Sequence, residues 1–144
     1  MRVPLFIRYP ALIPAARVDT RMGLNIDFAF TFAELAGLMP PISEDGRSLT
    51  RVLTDTEKYW RPDFLYEQWL DADDEDNDAV PPTLAGVRSP EWKYIEYVSG
   101  ETELYNLLSD PFELQNETTN SSYVDLKAEM AARLQQLRTD WPPP

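Results

Sequence analysis

The sequence predicts an α/β protein, more narrowly an α+β fragment, in which a small antiparallel sheet is packed by a C-terminal helix. Short runs rich in β-branched and aromatic residues lie between residues 85 and 107, and turn residues separate them. An apolar stripe with helical spacing follows near the end of the chain. The 144 residues are enough for one domain, or for a piece of a larger one.

The first predicted element is a mostly buried strand over Val3–Arg8, because Val, Phe and Ile favour β structure. Pro4 suits the start of a strand or an edge position. No partner strand follows directly in the sequence. We therefore expect the neighbours of this strand to lie in sequence that precedes it.

A helix is predicted next, with Asn25 or Asp27 as its cap, Gly37 in a left-handed closing position and Pro40-Pro41 as its stop. Residues 28–36 are apolar on nearly all sides, so we expect the helix to be buried over most of its surface.

A short helix over Ser48–Leu53 and a strand over Phe64–Trp69 follow. The acidic stretch Asp71–Asp78 indicates a solvated loop. A calcium-binding loop would need Gly at its sixth position and Glu at its twelfth, where this sequence has Asp76 and Pro82.

The predicted sheet then continues with a strand over residues 85–88 and an antiparallel hairpin of Trp92–Val98 with Thr102–Leu107. Alternation places Trp92, Tyr94, Glu96 and Val98 on one face of the middle strand, and Lys93, Ile95 and Tyr97 on the other. The final helix is predicted over Ser122–Arg138. Its stripe, which covers the sheet, consists of Tyr123, Leu126, Met130, Leu134 and Leu137.

Charge and composition exclude several classes of function. Lys and Arg number 13 against 25 Asp and Glu, a formal charge of −12, so no nucleic-acid partner and no membrane partner is expected. The absence of Cys and His excludes thiolate nucleophiles, disulfides, Ser–His relays, haem ligation and zinc sites with nitrogen or sulfur ligands. The chain also shows no signal peptide and no apolar run that is long enough to span a bilayer.

Several ordered blocks resemble the later part of sulfatases of the alkaline-phosphatase superfamily, and the similarity is greatest to the bacterial, N-acetylglucosamine-6-sulfatase-like branch. The blocks are residues 2–8, 25–37, 45–49, 87–88, 92–95, 103–107 and 110–114, with Asn116. Phe30 departs from the pattern, because the family usually has Pro at that point of the first helical turn.

The resemblance implies chemistry that this chain does not carry. Sulfatases use a Cys or Ser in a Cys/Ser-x-Pro-x-Arg motif, converted to formylglycine, with calcium held by Asp and Asn and with Lys and His at the leaving oxygen. Ser89 does not fit, because Pro90 follows it directly and no Arg stands at the required offset. We therefore predict no catalytic, cofactor-binding or metal-binding residue here. Calcium and formylglycine are implied only for a full-length parent, and the chain alone is expected to be inactive.

The resemblance also implies a domain division and partners. Residues 1–56 are predicted to be the last strand and helix of the large sulfatase α/β domain, incomplete here, and residues 57–144 the C-terminal subdomain. The expected partner is the missing N-terminal catalytic portion. The parent would act on a sulfated carbohydrate or aryl substrate, in a secreted, periplasmic or lysosome-like location. In the subdomain Arg88, Lys93 and Tyr94 suit an anionic substrate, although such strand residues are more often structural pairs.

Two alternatives to the sulfatase fragment stay open at this point. In one the chain is a non-catalytic partner subunit that completes a substrate pocket and docks through Phe28, Phe30 and Phe32. In the other it is a carbohydrate-binding module, for which Trp60, Trp69 and Trp92 are the candidate contacts.

Overall fold

The computed structural model describes residues 3–39, 45–69 and 83–140. The chain separates into two compact units, of which the first ends at Arg61 and the second begins at Pro62. No helix in the described ranges is both long and apolar enough to cross a membrane. The predicted helix stop at Pro40-Pro41 and the predicted acidic loop Asp71–Asp78 lie outside these ranges.

The first unit contains helices α1 (Asp27–Leu35) and α2 (Thr50–Leu53). Gly37 ends α1 with a φ of 72°, as predicted, and its N–H donates to the carbonyl of Glu34 at 2.9 Å. The predicted cap is wrong, because Ile26 occupies the N-cap position and no side chain caps the helix. At α2 the N-cap is likewise a residue without a capping side chain, Leu49.

The predicted buried strand over Val3–Arg8 is not observed. The segment forms no strand, and its apolar side chains are exposed, that of Phe6 to 93%. A strand exists only when neighbouring strands satisfy its backbone groups, and among the described residues no strand pairs with this segment.

The prediction that α1 is buried on most sides is also wrong for the described residues. Only Asp27 and Thr31 are buried in it, and the side chain of Phe32 is 67% exposed. The aromatic rings of Phe28 and Phe32 lie 6.5 Å apart along the helix. The described part of the first unit supplies too little apolar surface to cover this helix.

The second unit begins with a four-stranded antiparallel sheet in the order β1 (Phe64–Gln68), β2 (Leu84–Arg88), β3 (Trp92–Tyr97) and β4 (Thr102–Asn106). Each strand pairs with the next in sequence. The predicted hairpin is therefore confirmed, and Gly100 turns it with a φ of 93°.

Helix α3 (Val124–Asp140) packs on one face of this sheet, which confirms the predicted terminal helix. Leu134 of α3 is fully buried against Val87 and Leu104. At the start of the helix the ring of Tyr123 meets Trp92 edge-on, with centroids 4.9 Å apart. The alternation predicted for β3 is correct, because Tyr94 joins this core while Ile95 belongs to a separate cluster on the other face.

Candidate functional site

The carboxylates and the one serine considered for catalysis can be followed in the part of the chain that the structure describes. No three His, Cys, Asp or Glu side chains come together there in a way that could hold a metal ion. Ser89, the serine weighed in the sequence, shapes a turn: its Oγ accepts from the N–H of Trp92 at 2.9 Å and of Glu91 at 3.3 Å. That hydroxyl therefore forms hydrogen bonds to the backbone in the turn before β3.

The sheet face opposite α3 holds a partly buried cation among aromatic rings. Lys93 donates from Nζ to the Glu113 carboxylate, and both side chains are largely covered. The same Nζ lies 5.6 Å from the ring centroid of Tyr66 and 5.9 Å from that of Tyr105. Burial acts to raise the pKa of Glu113, but the hydrogen bond and charge of Lys93 outweigh it and leave that pKa below its ordinary value. The positive charge of Lys93 is thus balanced by Glu113 within the fold.

Tyr66 lies across the neighbouring strand at Gly86, its register partner. A Cβ at Gly86 would come within 2.3 Å of the Tyr66 Cζ atom, so a larger residue there would force this ring to shift. The Tyr66 hydroxyl is buried and has no hydrogen-bond partner among the described residues. Burial, followed by the charge of Glu113, raises the pKa of this phenol.

Arg88, Lys93 and Tyr94 do not form one anion site. Arg88 and Lys93 are register partners on the same face and are both well covered. Tyr94 points to the other face, where its hydroxyl donates to Glu96 at 3.1 Å. Burial first, and then the charge of Glu96, raises the pKa of Tyr94 to about 12. These contacts are structural.

The most buried charge in the first unit is Asp27, which the sequence predicts only as a possible cap. Its Oδ2 accepts from Leu24 N at 2.7 Å and its Oδ1 from Arg47 N at 2.9 Å. Arg61 adds two hydrogen bonds from its guanidinium group, and Asp27 has no exposed surface. Thr31, one turn further along α1, donates to the Asp27 carbonyl at 2.7 Å. No spacing in the sequence links Asp27 to Arg61.

A second charged cluster in the first unit is balanced and partly open to solvent. Arg17 and Arg21 both contact Asp19 and Asp55, with the Arg21–Asp19 pair at 2.6 Å. Hydrogen bonding to Arg21, set against burial, lowers the pKa of Asp19 to about 2. Both guanidinium groups also donate to the carbonyl of Val52 at the end of α2. The cluster joins chain segments and leaves no excess cation.

One groove in the second unit combines an exposed aromatic ring with a cation. It lies where β1 and β3 end and β2 begins, and has a volume of about 80 Å³. Trp69 is 48% exposed there, and Arg138 near the end of α3 lies 3.7 Å from Glu67. The residues that line it are Trp69, Thr83, Leu84, Ala85, Glu96, Tyr97, Val98 and Arg138.

This groove is too small to enclose a sugar ligand. Its volume is well below the roughly 300 Å³ at which ligand pockets usually begin. Glu96, on its floor, already accepts from Tyr94 and from Gln135 Nε2, the latter at 3.2 Å. Arg138 is paired with Glu67, so Trp69 is the group that the groove offers to a ligand: a flat apolar ring.

The other two candidate tryptophans, Trp60 and Trp92, contact other side chains within the fold. Trp92 stacks edge-on against Tyr123 in the second unit. In the first unit Trp60 donates from Nε1 to the Met22 carbonyl at 2.7 Å and lies 5.1 Å below the Arg61 guanidinium. Of the three, only Trp69 presents its ring to solvent.

Comparisons with known proteins place this arrangement in context. A family model described as N-sulphoglucosamine sulphohydrolase, C-terminal, matches residues 1–140. The chain is 28% identical, over 97% of its length, to the N-acetylglucosamine-6-O-sulfatase of Bacteroides thetaiotaomicron, of which it covers 25%. It is 31% identical over 93% of its length to a sulfatase of Formosa agariphila, of which it covers 26%.

Among solved structures, one similar protein is in complex with its substrate D-glucosamine-2-N,6-O-disulfate. The TM-score is 0.83 at 27% identity, and the alignment covers 94% of this chain and 28% of that one. The four-stranded sheet with its terminal helix matches the corresponding part of that structure. The chain thus spans about a quarter of the length of the relatives that it matches.

Proposed function

Since the chain belongs to the family of N-sulphoglucosamine sulphohydrolase C-terminal domains, which is a family of sulfatases, we propose that it is the carboxyl-terminal part of a sulfate ester hydrolase. The observation that carries the proposal is the family match over residues 1–140, together with the coverage of only about a quarter of each curated relative. The other three quarters of such an enzyme would supply the catalytic groups.

The residues of this chain do not fit the catalytic groups that the family implies. The sequence has no Cys for conversion to formylglycine, and Ser89 is hydrogen-bonded into a turn and followed by Pro90. No group of carboxylates suited to calcium is found among the described residues. Sulfuryl transfer needs a metal or cations to offset charge, and an activated oxygen nucleophile. The chain by itself is therefore inactive in this proposal.

The first unit supports the proposed place of residues 1–56 as the last strand and helix of a large α/β domain. The sequence of a strand that is buried on both faces is a nearly continuous apolar run, and Val3–Ile7 has this pattern. In the described structure that run and the Phe32 side of α1 are exposed. Both features are accounted for when the catalytic portion supplies neighbouring strands and a sheet surface for α1.

The proposed substrate class is a sulfated carbohydrate. Support comes from similar proteins, since one is an N-acetylglucosamine-6-O-sulfatase and another is in complex with its substrate D-glucosamine-2-N,6-O-disulfate. A domain of this kind would contribute to the wall of the substrate pocket, with the chemistry performed by the catalytic portion.

The direct test is to read the coding sequence that precedes codon 1 and to determine the mass of the natural protein. The proposal predicts a continuous reading frame, or an adjacent gene, that encodes a Cys/Ser-x-Pro-x-Arg motif and paired Asp residues. The natural protein should then be about four times the length of this chain, or should co-purify with the catalytic polypeptide. A natural protein of 16.6 kDa without such a companion would contradict the proposal.

The Trp69 groove favours a second candidate function, a carbohydrate-binding module. The exposed indole ring of Trp69 is suited to stack on the face of a sugar. The test is titration with D-glucosamine 6-sulfate, followed by tryptophan fluorescence. Binding should quench the emission in the original chain but not in Trp69→Ala. Equal behaviour of the two proteins would contradict this candidate.

A further inference from the structure

A loop of the second unit exposes three large apolar side chains close together in sequence. They belong to the segment that follows β4, and we call them the loop patch: Leu108 is 72% exposed, Phe112 81% and Leu114 84%. Single exposed apolar residues are ordinary on protein surfaces, whereas three in one short loop indicate a contact site.

The backbone that carries the loop patch is held by side chains at its base. Asn106 Oδ1 accepts from Leu108 N at 3.1 Å and from Ser109 N at 3.3 Å. Asp110 N donates to the Asn106 carbonyl, and Asp110 Oδ2 accepts from Gln115 N, both at 2.8 Å. Side chains of the Asn/Asp type fix turns in this way.

Asn116 joins the far end of the loop to the sheet. Its Oδ1 accepts from the N–H of Leu104 at 3.1 Å, and its Nδ2 donates to the carbonyl of Thr102 at 3.2 Å. Glu117 N also donates to the carbonyl of Leu104 at 2.8 Å. Both ends of the loop are therefore anchored to β4.

The orientation of the loop patch follows from Glu113. This residue has a φ of 58°, a conformation that non-glycine residues rarely adopt, and its side chain is drawn to Lys93. Its neighbours Phe112 and Leu114 remain outside, exposed to solvent. The polar side chains of the loop thus form hydrogen bonds within the fold. Its apolar side chains are exposed to solvent on a backbone that those bonds hold in place. A surface built this way loses little conformational entropy on binding.

We propose that the loop patch docks onto the catalytic portion of the sulfatase, an inference that rests on the proposed function. The chain accounts for only 25 to 28% of its sulfatase relatives, so the family domain is carried within a polypeptide about four times larger. A second copy of this chain is a poorer occupant. Each copy carries a charge of −12, so two copies would repel.

Because the chain contains no Cys, single cysteines report the accessibility of the patch. Phe112→Cys and Leu114→Cys are compared with Val124→Cys, an exposed apolar position of the same unit outside the loop. Each variant is labelled with a maleimide, as this chain alone and as part of the intact sulfatase, and the labelled peptide is quantified by mass spectrometry.

In the chain alone all three cysteines should react at similar rates. In the intact sulfatase the two patch cysteines should react at least about tenfold more slowly, while Val124→Cys keeps its rate. Equal patch rates in an active intact sulfatase would overturn this inference and leave the proposed function standing. Protection that grows with concentration of the isolated chain would identify a second copy as the occupant and would also overturn it. If no catalytic polypeptide exists, that result contradicts the proposed function, and this inference is overturned together with it.

Discussion

Arg61 donates two hydrogen bonds to Asp27, from Nη1 to Oδ2 at 2.9 Å and from Nη2 to Oδ1 at 2.6 Å, where both side chains are almost completely buried. The same carboxylate accepts the N–H groups of Leu24 and Arg47. One side chain thus holds together the start of α1, the segment before α2 and the end of the first unit. The pair is bidentate and its acceptors are satisfied, which is the arrangement that offsets the desolvation of two charges.

Asp27→Asn should destabilise the chain by about 3–5 kcal/mol, because it leaves the Arg61 guanidinium buried without its counter-charge. The free energy of unfolding is measured by urea denaturation followed by tryptophan fluorescence. Asp63→Asn is the matched control, since it weakens the more exposed Arg133–Asp63 pair and should cost about 1 kcal/mol or less. Equal losses in the two variants would contradict the role given to Asp27.

Tyr66→Phe should leave the stability unchanged or raise it by about 1 kcal/mol, because the hydroxyl that it removes is buried and has no partner. Tyr94→Phe is the comparison, since that hydroxyl donates to Glu96 and its loss should cost about 1 kcal/mol. Thermal unfolding of the two variants reports the difference. A large loss in Tyr66→Phe would mean that its hydroxyl has a partner after all.

Gly86→Ala should destabilise the sheet by about 1–3 kcal/mol, because the new Cβ would overlap the Tyr66 ring. Most of the added loss should disappear when Tyr66 is itself truncated, so the double variant Gly86→Ala/Tyr66→Ala should be no less stable than Tyr66→Ala alone. Gly23→Ala, where the Cβ would meet side chains at 3.6 Å or more, should be tolerated. Fully additive losses at Gly86 and Tyr66 would contradict the clash.

The Lys93–Glu113 pair should give a stability contribution that is lost in acid. The pKa of Glu113 in the folded chain is lowered, so the folded state holds its charged form more strongly than the unfolded state does. The contribution is therefore complete above the ordinary glutamate pKa of about 4.3 and disappears as the pH falls through the lower, folded value. The stability difference between the original chain and Glu113→Gln should shrink over that range. A difference that does not change with pH would contradict the pairing.

The second unit was predictable because its information is local. Alternation in β3 places Tyr94 and Ile95 on opposite faces, and this is confirmed. Of the predicted helical stripe, Tyr123, Met130, Leu134 and Leu137 pack in the sheet core. These two periods show which side of a strand or helix is buried. The residues that cover β3 and α3 belong to the same unit.

The first unit was predicted less well because its fold depends on contacts between residues that are far apart in the sequence. The apolar run at Val3–Arg8 was interpreted as a buried strand, but a strand also needs hydrogen-bonding neighbours. Asp27 was interpreted as a cap because local sequence offers no sign of Arg61, which is 34 positions away. Long-range ion pairs leave no periodic trace in a sequence.

The candidate site residues show the same limit. Arg88 and Lys93 were noted for their charge, but the sequence does not reveal that Glu113 adopts a left-handed conformation and reaches Lys93 from the next loop. The assignment to sulfatases rests instead on ordered blocks of residues, and the family match over residues 1–140 confirms it.

Sulfate release, measured for this chain alone and for the intact sulfatase that we propose carries it, tests most sharply where the catalytic groups lie. With calcium present, and with 4-nitrophenyl sulfate or D-glucosamine 6-sulfate as substrate, the purified chain should release no sulfate above the buffer control, whereas the intact polypeptide should hydrolyse at least one of the two. Calcium-dependent hydrolysis that follows the purified chain through successive chromatography steps would contradict the claim that the catalytic groups lie elsewhere.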